Sequence, residues 1–357
     1  MKGLFAPVPG RAVALKRILP VLLLLTPIGA KAEFSISSAE GLVTLDNGNN
    51  VRAVVAPRHG GELSGFAVRI DDQWHELIYR AMDYSDHTGW VGKSPFLWPA
   101  AGVSWTEEQG RHHWAMDGET REMPAHGFAR RLVWAVQGQE VTDSHASVRL
   151  AMTGTENWRR NYPFDYTLEV EYRLLADRLQ LVYTVEASAA NKKPMPFSIG
   201  NHVTFKAPML NVGKAGDVRF FSEYPDQMLR EENNAFAGRI IPTEYPGWQQ
   251  VSALPHRYAV SLGGTAGEAA LLVKDPAGLE LKLTHQASSE PQDPVIRFNL
   301  WADTGEGFFS PEPWLATQNS LNTGAGLVRL EPGNKWTWQI EITPGFSALR
   351  ATETVQE

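Results

Sequence analysis

Tyr166-Thr167-Leu168-Glu169-Val170-Glu171-Tyr172-Arg173-Leu174, followed by Ala176-Asp177-Arg178 and then by Leu179-Gln180-Leu181-Val182-Tyr183-Thr184-Val185-Glu186, decides the fold. Apolar and polar side chains alternate through both runs. Successive side chains of an extended chain point to opposite faces, so a period of two marks a strand with one buried face. Two such runs around a short polar turn form an antiparallel hairpin. The pattern recurs outward in both directions. Residues 146–152 alternate. Residues 270–274 and 279–283 flank Asp275-Pro276-Ala277-Gly278, a second hairpin. Residues 326–330 and 336–342 flank Glu331-Pro332-Gly333-Asn334, an expected third. Asp-Pro and Pro-Gly are the punctuation that turns require. No stretch combines a helical period with caps; residues 231–237 are polar enough for a short helix or a loop. Many short strands at regular spacing predict an all-β sandwich or barrel. No linker, repeat or shift of composition interrupts residues 33–357, which are expected to form one domain.

The N-terminus predicts a signal peptide over residues 1–32. Lys2, Arg11, Lys16 and Arg17 precede the apolar run 18–25, and Ala30-Lys31-Ala32 offers a small-residue cleavage site before Glu33. The run is short of the roughly 20 apolar residues that span a bilayer. The expected location is periplasmic or secreted, with no stable membrane anchor after cleavage. Residues 1–32 hold five of the 33 Lys and Arg and none of the 40 acids, so residues 33–357 carry 28 basic against 40 acidic side chains, a net charge of −12. That balance opposes nucleic acid as a partner. The chain has no cysteine, which removes thiol nucleophiles, disulfides and Cys-bound metal. Its stability rests on core burial, for which 325 residues are ample. Nothing in the sequence fixes the number of subunits.

Three stretches carry candidate chemistry: Met123-Pro124-Ala125-His126-Gly127-Phe128-Ala129-Arg130, Ser198-Ile199-Gly200-Asn201-His202-Val203-Thr204-Phe205, and Ser310-Pro311-Glu312-Pro313-Trp314. Two imidazoles and a carboxylate in apolar, aromatic surroundings are enough for paired proton transfer near neutrality. Taken singly, each has an ordinary structural role; the combination points to a site. Trp90, Trp98, Trp105, Trp114, Trp301 and Trp314 cluster near these strings. Aromatic faces pack on the C–H faces of sugar rings, although Trp is most often core. The adjacent His112 and His113 point to opposite faces of an extended chain and lack a third ligand, so no metal site is expected.

In this order the strings resemble the galactose mutarotase (aldose 1-epimerase) superfamily, from about Val54 to Pro344. Arg58-His59-Gly60-Gly61-Glu62-Leu63 comes first. Ser94-Pro95-Phe96-Leu97-Trp98-Pro99-Ala100-Ala101-Gly102 and the His-Gly-Phe-Ala-Arg string follow. Gly200-Asn201-His202-Val203-Thr204-Phe205, Phe298-Asn299-Leu300-Trp301, Glu312-Pro313-Trp314 and Asn322 complete the set. The resemblance implies a large antiparallel β-supersandwich and interconversion of sugar anomers through ring opening. It makes His202 the general acid, Glu312 the general base and His126 a group that orients the sugar. Trp98, Arg130, Asn201, Trp301 and Trp314 are the expected sugar contacts, a free small-molecule aldose the expected partner. The chemistry calls for no cofactor or metal. Gly102 is followed by Val103 where the family often carries a sugar-binding arginine, which implies that the sugar is held differently. The His-Gly-Phe-Ala-Arg string also resembles the hexose-6-phosphate 1-epimerase branch, which requires a basic cluster for phosphate. A non-catalytic carbohydrate-binding sandwich is the third alternative.

Overall fold

The structure, a computed structural model, describes residues 33–85, 90–230, 236–256, 258–291 and 295–346. The expected signal peptide lies outside the described residues. The described residues group into one compact unit.

The deciding hairpin is present. Tyr166–Leu174 and Leu179–Ala187 each alternate between buried and half-buried positions along their whole length. They pair from Tyr166 opposite Ala187 to Leu174 opposite Leu179, and the turn closes with the Leu175 N–H donating to the Arg178 carbonyl at 2.9 Å. The hairpin belongs to a nine-stranded antiparallel sheet. Its spatial order is Ala135–Val141, Ala146–Thr153, Tyr166–Leu174, Leu179–Ala187, Lys335–Phe346, Leu279–Ala287, Ala269–Lys274, Arg219–Ser222 and Gly247–Gln250. The second expected hairpin is within it, with Lys274 opposite Glu280.

A six-stranded antiparallel sheet faces it, ordered Phe205–Lys206, Phe308–Pro313, Ile296–Asp303, Val260–Gly263, Asp226–Arg230 and Phe236–Pro242. The two sheets meet through apolar and aromatic side chains. The Phe220 and Phe309 rings lie 5.8 Å apart, and those of His285 and Phe298 5.1 Å. A five-stranded meander, from Ser35–Ala39 to Gln73–Glu76, shares the same hydrophobic core. The architecture is the all-β antiparallel supersandwich that the sequence implied. Among the described residues the longest helical segments have four residues.

Two local expectations are corrected. Residues 326–330 and 336–342 do not form a hairpin. The turn is there, with the Asn334 N–H donating to the Glu331 carbonyl at 3.0 Å, but it passes the chain between sheets. Val328–Leu330 pairs with Met195–Phe197, whereas Lys335–Phe346 lies between Leu179–Ala187 and Leu279–Ala287. Both edges of that twelve-residue strand are taken by nine-residue partners, a far longer ladder than a three-residue neighbour offers. The region read as a short helix or loop also differs: a strand starts at Phe236 and pairs back on Asp226–Arg230. Residues 231–235 lie outside the described residues.

Candidate active site

Glu312 sits on the Phe308–Pro313 strand, directly opposite Asn299 of Ile296–Asp303. Pro311 and Pro313 have no N–H to give a ladder. The strand's other neighbour, Phe205–Lys206, accordingly reaches only Phe308 and Phe309, leaving the Glu312 end open on that side. Asn299 Nδ2–H donates to Glu312 Oε1 at 3.1 Å, and Trp314 Nε1–H donates to Oε2 at 3.1 Å.

His202 follows the Gly200–Asn201 strand, which pairs with Phe96–Leu97. Its N–H donates to the Pro95 carbonyl, and the Thr204 N–H donates to that of Lys93, fixing the segment at both ends. His202 Nε2 lies 3.7 Å from Glu312 Oε1, and both side chains are almost fully buried. Thr204 Oγ1 is 3.4 Å from His202 Nδ1 and 2.8 Å from Ser310 Oγ. Acid and base candidates are therefore tied to one strand, two residues apart at Ser310 and Glu312.

His126 completes the group. Its backbone takes a left-handed conformation at φ 63°, so that its N–H donates to the Gly102 carbonyl at 2.7 Å while the Gly102 N–H donates to its Nδ1 at 3.2 Å. A neutral imidazole whose Nδ1 accepts carries its proton on Nε2. The next residue must be glycine. Gly127 has φ 66°, and a Cβ there would run into the Trp98 carbonyl. Phe128 and Ala129 then donate their N–H groups to that same carbonyl.

These side chains line a cavity of about 250 Å³ together with Trp90, Pro95, Leu97, Arg130, Ala259, Trp301, Trp314 and Gln318. At about 30 Å³ per water it displaces roughly eight waters, a monosaccharide's scale. Trp90 and Trp301 pack 5.4 and 5.6 Å from the His202 ring. Burial, with a smaller push from the Arg130 charge, lowers His202 to about 3. Burial, then the His202 and Arg130 charges, puts His126 well below the ordinary histidine range. Both rings are neutral at working pH. Among the described residues no group of three or more His, Cys, Asp or Glu could hold a metal; His112 is an exposed, left-handed loop residue.

A second cavity of about 560 Å³ adjoins the first and shares Trp90, Pro95 and Arg130 with it. Arg58, His59 and Arg131 also line it. Beneath it Lys93 is fully buried, its Nζ 4.5 Å above the Tyr84 ring and without a hydrogen-bond partner. Burial raises the Glu62 carboxyl to about 7, against the lowering effect of Tyr84, Lys93 and Arg130. The cavity wall thus sets Arg58, Arg130 and Arg131 against the single carboxyl of Glu62.

Of the expected sugar contacts, Arg130 and Trp301 line the cavity. Trp314 lines it too, but it is 1% exposed and its indole N–H is directed at Glu312. Trp98 is corrected: it is fully buried among Phe128, Tyr162 and Tyr166 and touches no part of the cavity. Composition alone does not separate a core Trp from a cleft Trp. Asn201 is corrected as well. It is buried beneath the cavity, its Oδ1 accepting from Ser94 Oγ at 2.6 Å and its Nδ2 donating to Tyr183 at 3.1 Å. Asn299 and Gln318 were not singled out as contacts. Asn299 faces Glu312 through strand register, which has no local signature, and Gln318 packs against Gly102.

The family model of aldose 1-epimerases matches residues 41–234, and the chain belongs to that family. The matched span includes both histidines and ends before Glu312. No curated protein matches. Solved structures share the fold. A galactose mutarotase-like protein from Clostridium acetobutylicum superposes with a TM-score of 0.72 at 16% identity, over 88% of this chain and 99% of that one. A galactose mutarotase-like protein from Lactobacillus casei gives 0.67 at 22%, over 85% and 100%. Galactose 1-epimerase from Lactobacillus acidophilus gives 0.65 at 15%, over 88% and 98%.

Proposed function

We propose that the protein is an aldose 1-epimerase that interconverts the α and β anomers of a sugar bound between Trp90, Trp301 and the Glu312–His202 pair. One observation carries the reading: an imidazole nitrogen and a carboxylate oxygen 3.7 Å apart at the buried end of a cavity of monosaccharide scale. Glu312 takes the proton of the anomeric hydroxyl. The C1–ring oxygen bond breaks, C1 becomes an aldehyde, and the ring oxygen takes a proton from His202. Rotation about C1–C2 and closure from the other face give the other anomer, with the two residues exchanging roles. Because the His202 ring is neutral, it acts as a donor from the imidazole tautomer that carries its proton on Nε2, the nitrogen 3.7 Å from Glu312 Oε1; the Thr204 hydroxyl donates to the His202 carbonyl at 3.0 Å and holds the segment in place. Neutral His126 offers a second Nε2–H, and the Arg130 charge stabilises the developing oxyanion. Both the acid and the base are residues of this chain.

Anomer exchange tests this directly. Freshly dissolved α-D-glucose and α-D-galactose followed by polarimetry should mutarotate faster with the wild-type protein and at the uncatalysed rate with Glu312→Gln. Equal acceleration by both would refute the assignment. Sugar binding without acceleration by wild type would leave a carbohydrate-binding sandwich.

The second cavity favours a second reading, in which the aldose carries a phosphate at its far end, held by Arg58 and Arg131, which line it. Arg58→Ala then raises KM for a hexose 6-phosphate about tenfold and leaves the free hexose unaffected. An equal KM for the two sugars in wild type would exclude it. Residues 1–32, as a cleaved leader, would place the mature enzyme outside the cytoplasm. N-terminal sequencing that begins at or near Glu33 supports that location, and retention of Met1 on membranes overturns it.

A further inference from the structure

Three polar side chains stand in one row across three neighbouring strands of the six-stranded sheet. Ser261 of Val260–Gly263 is register partner to Asn299 of Ile296–Asp303, which is register partner to Glu312 of Phe308–Pro313. All three are buried. Their hydrogen bonds run in one direction. Ser261 Oγ–H donates to Asn299 Oδ1 at 2.8 Å, so the amide's other end, Nδ2–H, faces Glu312 Oε1 at 3.1 Å. From the opposite side Trp314 Nε1–H donates to Oε2 at 3.1 Å. Each carboxylate oxygen thus holds a neutral N–H donor, and neither donor brings a charge.

His202 Nε2, 3.7 Å from Oε1, and the Arg130 charge share the cavity with this carboxyl, and burial and the N–H donors act on it as well. Burial disfavours its ionised form, whereas N–H donors to its oxygens favour it. A lysine or arginine in their place would stabilise the anion more strongly, but a strongly stabilised anion is a weak base. Neutral donors keep the group ionised and still basic. They also leave room for an incoming hydroxyl, since an ionised carboxylate has about four acceptor positions. The ring of Trp314 is 1% exposed, so its largest polar asset is spent on the carboxylate and little of its face is open to a ligand.

We propose that Asn299 and Trp314, with Ser261 fixing the Asn299 amide, are positioning residues that set the charge state and orientation of the Glu312 base. The inference rests on Glu312 being the base of the proposed reaction. The pH at which the base switches on then depends on the two donors. Removing either one moves that point upward. Asn299→Asp has the largest effect, because it puts a second carboxyl against the first with little change of shape.

The experiment is the pH profile of kcat/KM for anomer exchange in wild type, Trp314→Phe, Asn299→Asp and Ser261→Ala. The acid limb should move to higher pH by about one unit in Trp314→Phe, further in Asn299→Asp, and by less in Ser261→Ala. Activity above the limb should return to within about tenfold of wild type. A loss that is uniform with pH, with the limb unmoved, would show a packing role only and overturn the proposal. The ¹³Cδ chemical shift of Glu312, assigned by its disappearance in Glu312→Gln, reads the same titration without turnover. If wild type is inactive on every aldose and the ¹³Cδ midpoint still rises in Trp314→Phe and Asn299→Asp, the donors stand and the epimerase reading falls. If that midpoint is unchanged, the donors fall whatever the activity.

Discussion

At the scale of single residues, His202 and His126 are the instructive contrast. Both rings are neutral, His202 buried and His126 half-buried, and they lie 5.7 Å apart. His202 alone approaches the carboxylate, whereas His126 has Nδ1 committed to the Gly102 N–H. A positioned acid or base contributes about 10²- to 10⁴-fold. His202→Asn is therefore expected to lower kcat at least about 10²-fold, roughly 2.7 kcal/mol of transition-state stabilisation. His126→Asn should act more on KM. A larger kcat loss in His126→Asn than in His202→Asn would reverse the assignment. The neutral state of His202 also predicts a kcat/KM profile with no histidine limb between pH 6 and 7; a limb there that vanishes in His202→Asn would contradict its depressed titration. The tryptophans divide in the same way. Trp98→Ala should cost about 3–5 kcal/mol as a core truncation, while Trp301→Ala, at the cavity wall, should raise KM with little change in denaturation midpoint. The pair of measurements fails if the two effects are exchanged.

At the scale of elements, the turn that carries His126 depends on one glycine. Gly127 has a left-handed backbone, and its missing Cβ gives room to the Trp98 carbonyl, to which two further N–H groups donate. Gly127→Ala is expected to cost at least about 2 kcal/mol, since backbone lies in the way and the φ is unfavourable. It should also displace His126 and Arg130, raising KM. Chemical denaturation and sugar kinetics on the purified variant would check both, and an unchanged denaturation midpoint would contradict the close approach. This dependence explains why the His-Gly-Phe string was visible in the sequence: a unique backbone demand leaves a distinctive local spelling. The alternating runs at 166–187 were equally visible, because burial on one face writes its period into consecutive residues. Strand partners were not. The turn at Pro332-Gly333 was correctly located, yet the strands beside it joined different sheets, because pairing is settled by the ladder available elsewhere in the chain. Asn299 escaped for the same reason. Its relation to Glu312 is one of register, and the twelve residues of sequence between them give no hint of it. Trp98 and Asn201 were misplaced because a motif shows which segments approach a cavity but not which of their side chains turn inward.

At the scale of the molecule, the buried titratable groups set how the fold responds to acid. His202 and His285 are held at about 3 and His126 well below its ordinary value, each mainly by burial. His285 is fully engaged as the neutral form, its Nε2–H donating to the Arg297 carbonyl at 2.6 Å and its Nδ1 accepting from Trp338 Nε1–H at 3.2 Å. In the unfolded chain these rings take up protons as pH falls through about 6.5, so the unfolded state binds more protons than the folded one below that point. Stability then falls with decreasing pH by about 1.4 kcal/mol per unit for each fully depressed ring. Two carboxyls act in the opposite sense. Burial raises Glu62 from 4.5 to about 7 and raises Glu76 as well, so the folded chain holds those protons where the unfolded chain has released them. The Glu62 contribution grows as pH falls from about 7 to 4.5 and is constant below, and Glu76 adds in the same direction. The expected result is a shallow decline from pH 6.5 to 4.5 and a steeper one from 4.5 towards 3, where the histidines are unopposed. His285→Gln isolates one ring away from the proposed catalytic groups. It should lower stability at every pH, and it should flatten the slope below about pH 6.5 by about one proton. Denaturant unfolding at pH 7, 5.5 and 4 measures both quantities, with the m-value serving as a check that the unfolding reaction is unchanged. Parallel curves for wild type and His285→Gln would show that the ring takes up its proton in the folded state, and the account of acid sensitivity through buried imidazoles would be wrong.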